Sequence, residues 1–197
     1  MGMQETARTA TSGARAQESE TDAERVVLLD DRHRQIGTAL KSEVHTTDTA
    51  LHYAFSCWVL DDDGRVLLTR RALGKRTWPG VWTNSFCGHP GPGEETAEAV
   101  ARRARRELGI EVTGLVEVLP EFAYRAVDAS GIVENEFCPV FTARIASEPQ
   151  PRDDEVMDLA WLEPAALLAA AEAAPQLLSP WLAQELADPR LRAALGA

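Results

Sequence analysis

The run Thr83-Asn84-Ser85-Phe86-Cys87-Gly88-His89-Pro90 passes through Gly91-Pro92-Gly93 and enters an arginine-rich stretch that ends at Gly109. Prolines alternating with glycines from Pro90 to Gly93 break any regular element. Beyond them the spacing predicts a helix from about Glu94 to Leu108. Ala97, Val100, Ala101, Ala104 and Leu108 recur on one face, and Gly109 stops the helix. A cysteine and a histidine therefore stand in the loop that feeds a helix carrying Arg102, Arg103, Arg105 and Arg106.

The rest of the chain alternates around that unit. Arg25–Asp30 predicts a first strand, closed by a polar turn at Asp31–Gln35. Tyr53–Leu60 and Arg65–Arg71 flank Asp61-Asp62-Asp63-Gly64, a hairpin signal. Further strands are expected near Glu111–Leu119, Phe122–Val127, Glu136–Ile145 and Val156–Leu162. After Pro164 an Ala- and Leu-rich segment predicts one or two helices, interrupted near Pro175 and Ser179-Pro180. Strands, one central helix, strands and terminal helices describe an α/β fold, a mixed sheet sandwiched by helices.

With 197 residues, a single domain can bury a sizeable core. Residues 1–24 hold almost no large apolar side chains and read as a disordered tail, leaving 25–197 as the domain. No apolar run suits a secretory signal or a membrane span, so a cytoplasmic protein is expected. Cys57, Cys87 and Cys138 are odd in number and lack CxxC spacing, which fits reduced thiols. A net charge of −11 argues against nucleic acid as the main partner. The oligomeric state is left open.

Four histidines are present, and His33 lies in a charged turn. His45 and His52 bracket a polar loop that leads into a strand, and His89 follows Cys87 by two residues. Glu134 and Glu136 share one strand face by period two. Three imidazoles and two carboxylates would make a mixed nitrogen and oxygen shell for Mn, Mg or Zn. Glu107, near the helix end, reads either as a partner of Arg103 or as a magnesium ligand. Lys41, Arg71, Lys75 and Arg103 are candidate diphosphate clamps. Cys57 and Cys138 suit buried apolar positions, whereas Cys87 suits proton transfer.

The helix also echoes a hydrolase signature, G-x5-E-x7-R-E-U-x-E-E-x-G-U with U apolar. Gly88, Glu94, Arg102, Ala104, Glu107, Gly109 and Ile110 fall in place, but two glutamates have become Arg103 and Arg106. With His45-x6-His52, Thr69-Arg-Arg-Ala72, Trp78-Pro-Gly-Val-Trp-Thr-Asn-Ser85, Cys87-Gly-His-Pro90, Tyr124-Arg-Ala126, Gly131-Ile-Val-Glu-Asn-Glu136 and Asp153-Asp154-Glu155-Val156, residues 25–181 resemble type I isopentenyl-diphosphate Δ-isomerase. That family is Nudix-like, which implies an α/β/α sandwich, here with additional terminal helices.

The resemblance implies interconversion of isopentenyl and dimethylallyl diphosphate. It also implies one divalent ion (Mn2+, Zn2+ or Mg2+) on His45, His52, His89, Glu134 and Glu136. A magnesium ion would join Glu107, the Cys87 carbonyl and the substrate diphosphate. Cys87 and Glu136 would be the catalytic pair, with Tyr124 bonded to the glutamate and the Trp181 face toward the cation. Protonating an unactivated alkene needs one group to give a proton, another to remove one, and a site closed to water. Two rivals remain: a Nudix pyrophosphohydrolase of a nucleoside diphosphate derivative, and a non-catalytic binding module.

Overall fold

The computed structural model of the protein describes residues 24–197, so the tail expected over 1–24 lies, except for Glu24, outside the described residues. β1 (Arg25–Leu29) pairs antiparallel with β2 (Gln35–Leu40) across the turn at Asp31–His33. The sequence reading missed β2, whose residues Gln35-Ile-Gly-Thr-Ala-Leu40 mix polar, small and apolar types with an exposed Ile36. An edge strand that needs only β1 as partner can be so mixed. One helical turn, α1 (Lys41–Val44), and the loop holding His45 lead to β3 (His52–Tyr53) and β4 (Phe55–Leu60).

The expected hairpin forms its turn, with Gly64 at φ 84, but β4 and β5 (Val66–Arg71) pair only at Leu60 and Val66. They then part, and the chain returns between them. β6 (Trp82–Thr83) pairs with β5 and β7 (Phe86–Gly88) with β4. Ser85 bridges the gap: its hydroxyl accepts from Val59 N at 2.7 Å and donates to Leu67 O at 2.6 Å.

After α2 (Thr96–Leu108) come β8 (Val112–Leu119), β9 (Ala123–Val127), β10 (Val133–Phe137), β11 (Val140–Ile145) and β12 (Val156–Leu162). The strand expected over Glu136–Ile145 is thus two strands, and they lie in different sheets. One sheet runs β2-β1-β3-β10-β9; the other runs β12-β5-β4-β11-β8 with β6 and β7 attached. Pro139 has no N–H to continue a ladder. Instead Phe137 O and Pro139 O accept from Ala54 N and Ser56 N, so β3–β4 and β10–β11 cross from one sheet to the other side by side.

β4 is buried along its whole length. Phe55, Cys57 and Val59 face Val100, Ala104 and Leu108 of α2, while Trp58 and Leu60 face Leu182, Leu186, Leu191 and Leu195 of the terminal helices. A strand covered on both faces belongs at the centre of a sandwich. The terminal segment holds more helix than expected: α3 (Pro164–Ala173), a 3₁₀ turn at Pro175–Leu177, α4 (Pro180–Ala187) and α5 (Pro189–Leu195). Among the described residues no helix is long and apolar enough to cross a membrane.

The buried face of α2 differs from the expected stripe. Ala97 is exposed, while Ala99, Arg103 and Glu107 are buried with Val100, Ala104 and Leu108. Arg103 and Glu107 tolerate burial because they pair with each other at 2.7 Å. Gly109 ends the helix in the left-handed region at φ 64. Gly88 answers a different need, since α2 and Phe55 approach β7 closely. A Cβ there would stand 2.7 Å from Phe55 Cζ and 3.1 Å from Arg103 Cγ. Gly88→Ala should therefore lose about 1–3 kcal/mol by overpacking. Urea unfolding should show a lower midpoint at unchanged slope; an unchanged midpoint would mean that the helix is free to move away.

Candidate active site at the sheet junction

Where the two sheets meet, register brings the polar residues together. Glu136 of β10 stands opposite Tyr124 of β9 on one side and His52 of β3 on the other. On the neighbouring sheet, Cys87 of β7 stands opposite Ser56 of β4. His45 enters from the loop after α1, and His89 leaves β7 two residues beyond Cys87. Period two then places Glu134 beside Glu136.

Glu136 Oε1 faces the Nε2 atoms of His89, His52 and His45 at 3.0, 3.3 and 3.9 Å, and Oε2 accepts from the Tyr124 hydroxyl at 2.9 Å. One donor atom from each of His45, His52, His89 and Glu136 lies within 4.8 Å of every other. Glu134 stands alongside, its Oε2 2.9 Å from His45 Nε2 and its Oε1 accepting from Thr77 Oγ1 at 2.6 Å. His52 Nδ1 donates to Ala50 O at 3.0 Å, which leaves the Nε2 lone pair aimed inward. The buried Nε2 atoms of His45 and His52 make no well-directed hydrogen bond. Inward imidazole lone pairs beside carboxylates fit a divalent cation. Charge points the same way: burial disfavours the charged imidazole of His45, yet Glu134 and Glu136 outweigh it and raise its pKa to about 9. Burial prevails at His89, lowering it to about 3. The cluster needs positive charge, which either a proton or a divalent ion can supply.

Beside it opens a cavity of about 370 Å³, lined by Cys87, Tyr124, Glu136 and Trp181 and by the cations Lys41, Arg71, Lys75 and Arg103. Trp181 is buried and carries the Arg71 guanidinium 5.4 Å over its ring. The Trp181 and Trp78 rings stand perpendicular, centroids 5.4 Å apart at 89°. Trp78 has a left-handed φ of 43, a strained conformation that is rare for a bulky residue. Burial, with Glu185 and Glu136 nearby, holds the Cys87 pKa well above the ordinary thiol range. Burial does the same to the Tyr124 phenol, and Glu136 and Glu134 add to it.

Glu107 does not join the histidine cluster or the cavity lining; it is buried on α2 against Arg103. Cys57 and Cys138 are buried, as expected, and His33 lies outside the cluster, stacked on Phe137 at 3.9 Å. The sequence reading missed the acids that hold the cations. Glu155 bonds Lys75 and lies 2.9 Å from Arg103; Glu24 lies 2.8 Å from Lys41 and 3.0 Å from Arg106. No local spacing signals these pairs, since each partner comes from a distant element. Asn84, which touches Cys87, was also passed over, although it stands three residues before it.

The NUDIX domain family matches residues 50–183, more than half of the chain. The fold agrees: a crystal structure from Deinococcus radiodurans superposes with a TM-score of 0.63 at 22% identity, over 82% of this chain and 96% of that one. The chain is 64% identical to an isopentenyl-diphosphate Delta-isomerase of Kocuria rhizophila over 173 residues, 88% of this chain and 96% of the relative. A protein of the same name from Agromyces mediolanus is 65% identical over 162 residues, 82% of this chain and 79% of the relative. The chain belongs to the isopentenyl-diphosphate Delta-isomerase family of the Nudix fold.

The pairing of Glu155 has a consequence for stability. Burial raises its pKa, but Arg103 and Lys75 outweigh this and bring it down to about 2. A carboxylate lowered on folding stabilises the fold fully above its unfolded pKa of about 4.5, and that contribution is lost as pH falls toward 2. Besides Arg103 and Lys75, Asp154 and Arg152 stand next to this site in the chain. Glu155→Gln should therefore flatten the fall in stability between pH 4.5 and about 2, measured as thermal midpoints across that window. An acid limb as steep as in the wild type would contradict the pairing.

Proposed function

We propose that the protein interconverts isopentenyl diphosphate and dimethylallyl diphosphate in isoprenoid biosynthesis, with Cys87 and Glu136 as its acid–base pair. The observation that carries this reading is that Cys87 and the Tyr124-bonded Glu136 line the same cavity as four candidate diphosphate cations. In one direction a proton is added to C4 of the substrate, which leaves a tertiary cation at C3. Removal of a proton from C2 then makes the new double bond between C2 and C3. One side chain of the pair gives, the other takes, and the reverse reaction exchanges their roles.

Lys41, Arg71, Lys75 and Arg103 hold the diphosphate, and the binding energy of that end fixes the small apolar tail against the pair. Trp181 presents its ring face to the transient cation. His45, His52, His89, Glu134 and Glu136 would hold one divalent ion, Mn2+, Zn2+ or Mg2+, and Glu107 with the Cys87 carbonyl would hold a magnesium ion that comes with the diphosphate. When bound, these ions supply positive charge that anchors the phosphates and tunes the Glu136 carboxyl. The hydrolytic rival needs clustered helix carboxylates to activate water, and Arg103 and Arg106 stand at two of those places. Three free thiols fit a reducing compartment, the cytoplasm.

Cys87→Ala and Glu136→Gln should each abolish turnover while binding of inorganic diphosphate largely survives. Isomerisation and diphosphate titration of both variants test this. Near-wild-type turnover in either would remove that residue from the pair.

A further inference from the structure

Thr77 stands in the loop between β5 and β6, is almost completely buried and lines the cavity, yet the proposed reaction gives it no part. Both of its oxygens are engaged. The carbonyl accepts from Arg71 Nε at 3.0 Å and Nη2 at 2.8 Å, and the hydroxyl receives Nη2 at 3.1 Å. A guanidinium can only donate, so the Arg71 contact uses a lone pair of the hydroxyl and leaves its hydrogen free. That hydrogen goes to Glu134 Oε1 at 2.6 Å. Counting donors thus gives the hydroxyl one arrangement, accepting from Arg71 and donating to Glu134.

Glu134 depends on that bond. Among the described residues no other hydrogen bond reaches its carboxylate; Oε2 has His45 Nε2 beside it at 2.9 Å, but that nitrogen makes no well-directed hydrogen bond. An imidazole nitrogen that holds an ion cannot also donate to a carboxylate. Loading the site therefore gives up the His45 contact, whereas the Thr77 bond persists and leaves Oε2 free to bind. A ligating carboxylate held by a fixed donor meets the ion already oriented. The donor itself is fixed, because Arg71 grips the Thr77 carbonyl and the loop is tied at its base. There Gly80 N donates to Arg71 O and Arg71 N to Val81 O, both at 3.0 Å. We infer that Thr77 is a positioning residue that sets Glu134 toward the divalent ion of the histidine cluster. This rests on the proposed ion site of His45, His52, His89, Glu134 and Glu136.

The role asks for a hydroxyl at this position rather than for a shape. Thr77→Val keeps the branched side chain and the carbonyl that Arg71 grips, but has no hydrogen to give. Thr77→Ser keeps the hydroxyl and gives up only the methyl. Affinity for Mn2+ should fall about tenfold in Thr77→Val and stay within about threefold of wild type in Thr77→Ser. Binding of inorganic diphosphate without added metal should stay near wild type in both, because Arg71 keeps its two bonds to the carbonyl of residue 77.

The test is calorimetric titration of the metal-free protein with Mn2+ at one fixed pH, with unfolding midpoints measured in parallel. His45→Ala identifies which bound ion belongs to the cluster. Thr77→Ala carries the same expectation as Thr77→Val and decides the matter if the valine variant fails to fold. Wild-type Mn2+ affinity without the hydroxyl, a Thr77→Ser variant as weak as Thr77→Val, or an equal fall in Mn2+ and diphosphate affinity would each overturn the inference. A wild-type protein that binds no His45-dependent Mn2+ would remove the proposed ion site and this inference together. Tight binding that ignores Thr77 would remove the inference alone.

Discussion

A carboxylate taken out of water must be neutralised or surrounded by donors, and Glu136 is almost completely buried. Its surroundings account for much of the architecture. Tyr124 reaches one oxygen because β9 pairs with β10; His52 reaches the other because β3 runs parallel beside β10. His45 and His89 arrive from a loop and from the neighbouring sheet. A site of this kind cannot be built on a single sheet. It needs the crossing at Ala54 and Cys138-Pro139, where two adjacent strands leave one sheet and enter the other. Glu136 and Cys87 open onto a common space beside that crossing.

The mouth of the cavity follows the same rule with the signs reversed. Lys41, Lys75, Arg103 and Arg106 are held by Glu24, Glu107 and Glu155 from three separate stretches of the chain. Each cation is thereby fixed in place without being fully neutralised, and a diphosphate brings the anionic oxygens these donors suit. On the hydrolase pattern this helix would carry carboxylates at 103 and 106; here it carries guanidinium groups. The helix then lacks two of the acids that the hydrolase pattern places there.

Much of this was legible in the sequence wherever the information is local. Period two put Glu134 and Glu136 on one face, the glycines marked both ends of the unit around α2, and the two outlying cysteines were recognised as core. Long-range facts were not legible. The strand through Glu136–Ile145 read as continuous because its apolar pattern continues; only the pairing with β3 and β4 shows that it changes sheets. The hairpin turn was visible, but not the parting of β4 and β5, which depends on a serine hydroxyl standing in for ladder bonds. The pairing of Arg103 with Glu107 was legible from their i, i+4 spacing, but not Glu155, which reaches Arg103 from 52 residues away. Glu185 looked like part of an ordinary terminal helix, and its partner Ser56 is 129 residues distant.

The central claim is a proton added at one carbon and removed at another, with the diphosphate left intact. Proton NMR of isopentenyl diphosphate incubated with the protein, magnesium and manganese in D2O reads this directly. Dimethylallyl diphosphate carrying solvent deuterium is the result the account predicts. Unchanged substrate would contradict it, and released phosphate would replace it with hydrolysis.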